Sequence, residues 1–230
     1  MAEEPMIRMR SVDRTYRKGS AELRVLQDLD FNVDKGEFVA LMGPSGSGKS
    51  TILNLAGGLD RPDGGEIHFE GEHLDDLSEG ALAAWRARNI GFIFQAYNLI
   101  PVLTAQQNVE LPLLLTPLGR GKRKEQARLA LEVAGIGHRA SHFPKQLSGG
   151  EEQRVSVARA IATDPKVLLA DEPTGDLDAE NAASILDLLC RLNEENGQTI
   201  VMVTHDPKAA ERAHRVMHLQ KGVLVSKATA

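Results

Sequence analysis

Cysteine occurs once in these 230 residues, at Cys190, so no intrachain disulfide can form. That usage suits a reducing compartment, and Cys190 itself reads as a small apolar residue on a helix. A basic excess is also lacking. The formal net charge of -5 argues against a general nucleic-acid binder, although a local basic patch stays open. Long apolar runs are missing too. The most apolar stretch, Leu111 to Leu115, is far below the ~20 residues of a membrane span. The N-terminal Met1-Ala2-Glu3-Glu4-Pro5 is acidic and lacks the charged-then-apolar layout of a signal peptide. These absences lead us to expect a cytosolic chain unless a partner tethers it to a membrane. What remains is ordinary: 42% hydrophobic and 26% charged residues, enough for one large domain or a core with one subdomain.

One stretch organises the rest. Gly43-Pro44-Ser45-Gly46-Ser47-Gly48-Lys49-Ser50-Thr51 fits G-x-x-x-x-G-K-S/T, the P-loop pattern. An apolar run, Glu37 to Met42, precedes it as a buried strand, and Thr51 to Ala56 follows as a helical start. In that order the glycines let successive N–H groups converge on phosphate oxygens, and the helix N-terminus adds favourable potential for anions. Lys49 is placed to reach the β- and γ-phosphates, and the Ser50 hydroxyl to ligate Mg²⁺.

The flanking chain alternates strands and helices. Strands are expected at 7–12, 23–26 and 29–33, with a polar turn at Arg17-Lys18-Gly19-Ser20. Tyr16, before that turn, either stacks on a base or packs at a strand end; position alone does not decide. Gly57-Gly58 stops the P-loop helix, a strand follows at 66–71, and helical spacing runs from Leu74 to Arg88. The strand Ile90 to Phe94 ends at Gln95, whose amide can face a site at the sheet edge. Residues 96–118 intersperse apolar side chains with Pro101, Pro112 and Pro117, so short pieces should display them, part as core and part as a contact surface. Gly119 to Glu125 reads as a solvated basic turn, with a helix from Glu125 to Ala134.

Leu147-Ser148-Gly149-Gly150-Glu151 opens a further helix with two glutamates in its first turn. Alone it is an ordinary capped helix; beside a P-loop it can be a second phosphate-facing N-terminus. The strand Val167 to Ala170 delivers Asp171 and Glu172 at its carboxyl end, where parallel α/β sheets place their ligands. Asp171 has the position of a carboxylate supporting Mg²⁺, and Glu172 can polarise an attacking water. Gly175 to Asp178 is a turn and N-cap for an amphipathic helix over 179–193. The strand Gln198 to Thr204 ends at His205, which projects toward the same edge and reads as a γ-phosphate sensor. Residues 209–213 are helical, and 216–225 form a closing hairpin.

Taken in order, these segments resemble the nucleotide-binding subunit of ATP-binding cassette (ABC) transporters over essentially the whole chain. Gly43–Thr51 resembles Walker A, Gln95 the Q-loop, Leu147–Glu151 the signature, Val167–Glu172 Walker B, Gly175–Asp178 the D-loop and His205 the switch histidine. Tyr16 matches the family's adenine-stacking aromatic. Gly57 to Pro62, Asn98 to Pro101 and Asn108 to Pro112 look like the branch of lipoprotein-release and macrolide-export ATPases.

The resemblance implies an α/β fold: a P-loop NTPase core with a mixed, mostly parallel sheet, an N-terminal antiparallel β subdomain and an inserted helical subdomain. Residues 1–95 and 164–230 would form the core, and 96–163 the helical part. It implies ATP and Mg²⁺ as ligands, with Ser50, Gln95 and, through water, Asp171 at the metal. Glu172, His205, Lys49 and Gln95 would be catalytic. Tyr16, Gly43–Thr51 and Asp178 would meet nucleotide, and Ser148, Gly149 and Gly150 the nucleotide of a second copy closed head to tail. A membrane permease would dock near 96–115, with Leu99 and Leu103 among its contacts, holding the chain at the cytoplasmic face of the plasma membrane. Nucleic acid is not an expected partner. Glu151 departs from the glutamine common at its position, and is expected to point away from phosphate or to cap the helix. An alternative within the family is a mechanical or signalling ATPase of the cell-division type. A chromosome-structure or DNA-repair relative is disfavoured by the lack of a coiled-coil or zinc insertion, and a GTPase by the lack of an N-K-x-D motif.

Overall fold

The computed structural model describes residues 4–19 and 21–225. Strand β1 (Ile7–Lys18) pairs antiparallel with β2 (Ala21–Val33). Both outrun the short strands expected from alternation, because each carries a bulge. Ser11 and Asp28 take φ of 47° and 45°, and the buried set steps from Met9 to Val12 and from Leu26 to Leu29. One extra residue breaks a period-two pattern without ending the strand, so 23–26 and 29–33 belong to one strand. Ser20, expected in the polar turn, the N-terminal residues 1–3 and the last five residues lie outside the described residues.

The chain continues through β3 (Phe38–Met42), α1 (Lys49–Ala56), β4 (Gly64–Phe69), β5 (Glu72–His73), α2 (Glu79–Asn89) and β6 (Ile90–Phe94). Three helices follow: α3 (Ala105–Leu113), α4 (Arg120–Val133) and α5 (Gly149–Ile161). Then come β7 (Val167–Asp171), α6 (Ala179–Asn196), β8 (Thr199–Thr204), α7 (Pro207–Ala210), β9 (Arg215–Gln220) and β10 (Val223–Val225). One sheet has the order β2-β1-β4-β5 and is antiparallel. The other runs β10-β9-β3-β8-β7-β6, parallel except for the edge strand β10.

The interiors of strands β3, β7 and β8 are apolar because helices or the other sheet cover both their faces. Val39, Leu41, Leu169, Val201 and Val203 pack with α1, Trp85 and the inner face of the antiparallel sheet. Phe38, Ala40, Leu168, Ala170, Ile200 and Met202 pack with α5 and α6, and that layer extends to α3 and α4 through Val109 and Leu131.

Three expectations need correction. The basic stretch 120–125 is the start of α4, not a turn. Its cations oppose the helix dipole, but burial of Ala127, Ala130 and Leu131 on one face holds the helix. The helical spacing from Leu74 divides into a 3₁₀ turn at Leu74–Asp76 and α2, separated at Ser78, whose side chain accepts from the Ala81 amide and caps α2. In the segment 96–118, Leu99 packs against the core, whereas Val102 and Leu115 are 78% and 76% exposed. Leu99 is therefore no probe of a docking surface.

That segment is shaped by Asn108, fully buried on α3. Its amide donates to the carbonyls of Ile100, Leu103 and Thr104, and its oxygen accepts from the Ile100 N–H. One side chain thus replaces the ladder partners a loop lacks. Asn108→Ala removes the side-chain partner of the Ile100 N–H and the Leu103 carbonyl and empties a buried position, and we expect a loss of about 1–3 kcal/mol in unfolding free energy. Chemical denaturation checks this.

Candidate functional site

The register of the parallel sheet sets the site. Met42 on β3 is level with Thr204 on β8, Val203 with Asp171 on β7, and Asp171 with Phe94 on β6. The residues that leave these strands, Gly43 onward, His205, Glu172 and Gln95, therefore emerge side by side at one edge. They surround a pocket of about 730 Å³, whose wall includes Ser45, Gly46, Gly48, Lys49, Ser50, Thr51, Gln95, Asp171, Glu172 and His205.

The P-loop leaves β3 in a turn that only glycine follows comfortably. Gly46 and Gly48 have φ of 76° and 106°, and a side chain at Gly48 would press on Val25 and Leu26. Lys49 is almost fully buried. Its ammonium donates to the carbonyls of Gly43 (2.8 Å) and Pro44 (3.1 Å), which holds the charge within the loop. The Ser47 hydroxyl is buried without a hydrogen-bond partner. Gly43 and Pro44 belong to the loop but not to the pocket wall.

Ser50 Oγ donates to Asp171 Oδ1 at 3.2 Å. Burial lifts the Asp171 carboxyl above its usual range; the Ser50 hydrogen bond opposes this, neighbouring Glu172 adds to it and Lys49 opposes it. A hydroxyl, a carboxylate and the amide of Gln95 are hard oxygen donors of the type Mg²⁺ takes, so the residues present fit that ion. A glycine-lined loop with a lysine and a helix N-terminus likewise fits phosphate. Gln95 is itself oriented by its Nε2, which donates to Asp176 Oδ1 at 2.9 Å.

Glu172 sits at φ 49°, costly for a residue with a β-carbon. The conformation is fixed by its N–H donating to the Val203 carbonyl and its own carbonyl accepting from Gly175. Its side chain is 16% exposed against 70% for His205. His205 Nδ1 lies 2.9 Å from Glu172 Oε2, and the His205 backbone N–H reaches the same oxygen. The histidine thus aims the carboxylate from the solvent side.

Other expected residues stand apart from this pocket. Ser148 caps α5, its hydroxyl accepting from the Glu151 N–H while the Glu151 carboxylate accepts from the Ser148 N–H. Gly149 abuts the Tyr97 hydroxyl, and any side chain at Gly150 would collide with Asn181. Asp178 caps α6 through the Asn181 N–H. None of Ser148, Gly149, Gly150 and Asp178 lines the P-loop pocket. Tyr16 does not line it either. Its hydroxyl donates to Asp60, and Arg14 lies 4.8 Å over its ring. Its cross-strand partner Leu23 does line the pocket, with Val25.

Leu23 and Val25 were missed in the sequence; a leucine opposite Tyr16 on a polar hairpin was the available signal. Gln153 and Arg159 were missed as well. Gln153, fully buried on α5, donates to the Pro173 carbonyl at 2.6 Å and the Phe94 carbonyl at 3.4 Å. Arg159 donates to the carbonyls of Tyr97 and Asn98, two residues with positive φ. One helix therefore holds the chain beside Gln95 and beside Glu172.

Glu151 behaves as a cap and points to Arg139, 2.9 Å away. The Ser148 N–H holds its carboxyl below the usual glutamate range against the opposing effect of burial, with help from Arg139. The native state therefore gains stability above the ordinary glutamate range and loses it as pH falls through the lowered value. We expect Glu151→Gln, which keeps the cap, to cost less than about 1 kcal/mol at neutral pH. In urea titrations over pH the difference from the parent should shrink toward acid.

Residues 26–175 match the family model described as ABC transporter. The chain is 50% identical to a macrolide export ATP-binding/permease protein, MacB 1/2, of Paracoccus denitrificans, covering 96% of this chain and 33% of that protein. It thus spans about a third of that relative's length. It is 43% identical to the lipoprotein-releasing system ATP-binding protein LolD of Idiomarina loihiensis, covering 96% of this chain and 97% of that one. The dimeric, post-hydrolysis structure of the ATP-binding cassette MJ0796 of Methanocaldococcus jannaschii, bound to ADP and Pi, superposes with a TM-score of 0.89. The identity there is 43%, over 96% of this chain and 97% of that one.

Proposed function

This chain belongs to the ABC transporter family, and on that premise we propose that it binds ATP with Mg²⁺ and hydrolyses it to drive a separate membrane permease. The observation that carries the reading is the single pocket collecting Lys49, Ser50, Gln95, Asp171, Glu172 and His205. Lys49 exchanges its hold on the Gly43 and Pro44 carbonyls for the β- and γ-phosphates, and the loop amides take their oxygens. Ser50, Gln95 and, through water, Asp171 would hold the metal, which would supply neutralisation of phosphate charge. Glu172 accepts the proton of the attacking water as general base. His205 keeps the Glu172 carboxylate turned inward and senses the γ-phosphate. Leu23 and Val25 give the base an apolar wall beside Tyr16, whose stacking role stays part of this proposal.

Ser148, Gly149 and Gly150 present a helix N-terminus that their own pocket does not use. We assign them to the γ-phosphate of a second copy closed head to tail, with Asp178 at the junction, so that ATP favours the closed pair and hydrolysis releases it. The dimeric form of MJ0796 supports this arrangement. Residues 96–163 serve as the helical part of this machine, and 1–95 with 164–230 as its catalytic core.

No helix among the described residues is long and apolar enough to cross a membrane, so translocation belongs to another chain or segment. Exposed Val102, Leu114 and Leu115, with a groove of about 480 Å³ lined by Leu59, Phe92, Phe94 and Leu115, supply the permease-docking surface. Docking there holds the chain at the cytoplasmic face of the membrane. The export and lipoprotein-release relatives favour export or extraction of a substrate.

Glu172→Gln should lower kcat by about 10²–10⁴ while size-exclusion chromatography shows dimers that form only with ATP. Turnover at the parent rate would remove Glu172 from the role of base. Lys49→Ala should weaken nucleotide binding in titrations with a fluorescent analogue. Leu115→Asp should leave soluble ATPase activity intact and abolish co-purification with the permease. Undiminished co-purification would place the docking surface elsewhere.

A further inference from the structure

On the outer face of the antiparallel sheet lies a cluster that does not line the P-loop pocket. His68 on β4 and His73 on β5 are paired across the strands, and Glu66 lies two residues back on the same face as His68. One ligand atom from each of Glu66, His68 and His73 falls within 4.8 Å of the other two. All three side chains are half-buried.

We propose that Glu66, His68 and His73 form a binding site for a divalent transition metal of the Zn²⁺ type. Two imidazoles and a carboxylate are the donor set such ions select over Mg²⁺, with water in the fourth position.

The surroundings are those of a ligand set. His73 Nδ1 lies 2.9 Å from Asp76 Oδ2. With the proton on Nδ1, that contact leaves Nε2 to face a metal, the carboxylate–histidine arrangement common behind metal ligands. His73 Nε2 is buried and makes no hydrogen bond, although Asp75 Oδ2 stands 3.2 Å away outside bonding geometry. Asp75 is occupied instead by the Ile67 N–H. His68 Nε2 contacts Glu66 Oε2 at 3.1 Å, and its Nδ1 is buried without a partner. The two rings stack at 4.8 Å and 15°.

Coordination needs the rings to turn out of that parallel stack, since a metal must lie in both ring planes. Zn–N bonds of about 2.0–2.1 Å bring the ligand atoms closer than they now stand. Rotation about χ2 of histidine is soft, and both side chains lie on a sheet surface. The charges also favour a cation. Arg8 and Arg10 oppose His68 and Glu66 on β1, but Arg8 pairs with Glu4, and Glu66, Asp75 and Asp76 outweigh the remaining arginine. An ion there would clip β4 and β5 to the 3₁₀ turn that follows.

The test is a titration of untagged, metal-stripped protein with Zn²⁺ against a chromophoric indicator, with excess Mg²⁺ and no nucleotide. We expect saturation at one equivalent and a rise in the melting temperature. His68→Ala and His73→Ala should each lose at least about tenfold in affinity, while His138→Ala and His142→Ala bind as the parent does. Asp76→Asn, which keeps all three ligands, should weaken binding by about tenfold and serves if an alanine variant fails to fold. Absence of saturable binding, or affinity unchanged in His68→Ala, His73→Ala and Asp76→Asn, would overturn the site.

Discussion

The parallel register of β6, β7, β8 and β3 is the constraint on which the rest of this molecule depends. Phe94, Asp171, Val203 and Leu41 stand at one level across four strands. Parallel pairing sets every strand's carboxyl end at the same edge, so the residue after each strand becomes a neighbour of the others without any contact in sequence. A slip of one residue in β7 would turn its buried set to the opposite face and exchange the positions of Asp171 and Glu172. Leu168 and Ala170 fit one packed layer and Leu169 the other, and that close fit forbids the slip. The geometry of the pocket is thus guaranteed by apolar side chains that never touch it, such as Leu169 and Val201.

Much of this was legible because the site residues punctuate strands. The run at 37–42 ended at the glycine-rich loop and those at 90–94, 167–170 and 198–204 at polar residues, and a parallel α/β sheet puts such ends together. The antiparallel sheet was less legible. Bulges at Ser11 and Asp28 displaced the alternation, and a positive φ at a serine or aspartate leaves no mark in composition. The start of α4 was hidden by cations at an end that disfavours them. Leu99 illustrates a third limit, since apolar residues in a proline-rich segment look alike until Asn108 fixes which turn inward.

Pairwise links across long distances were the least legible of all. Nothing near Gln153 in sequence announces that its amide reaches both Phe94 and Pro173. Nor does anything near Tyr16 announce that Asp60 and Arg14 hold its ring, leaving Leu23 and Val25 on the pocket wall. Such contacts depend on packing between elements, and periodicity reports only one element at a time. The strained φ of Glu172 belongs to the same class, because the Val203 and Gly175 partners that stabilise it come from the neighbouring strand and the following turn.

These long links give α5 a particular place in the proposed cycle. Its N-terminus carries Ser148, Gly149 and Gly150, assigned to the partner's phosphate, and its middle carries Gln153 and Arg159. Gln153 holds the strand end before Gln95 and the residue after Glu172, while Arg159 holds the carbonyls at 97 and 98 beyond Gln95. Ser148 and Gln153 are little more than one helical turn apart. A force on the cap from a γ-phosphate across the dimer therefore acts on a short rigid rod whose other contacts lie on both sides of this subunit's own carboxylates. Gly150, wedged against Asn181 on the helix that Asp178 caps, leaves that rod little room to tilt independently of α6. The two half-sites of a closed pair would then be joined through buried hydrogen bonds of neutral groups and one desolvated arginine, whose guanidinium burial pushes toward losing its proton. That arginine donates to the 97 and 98 carbonyls, which ties the exit of the Q-loop segment to α5.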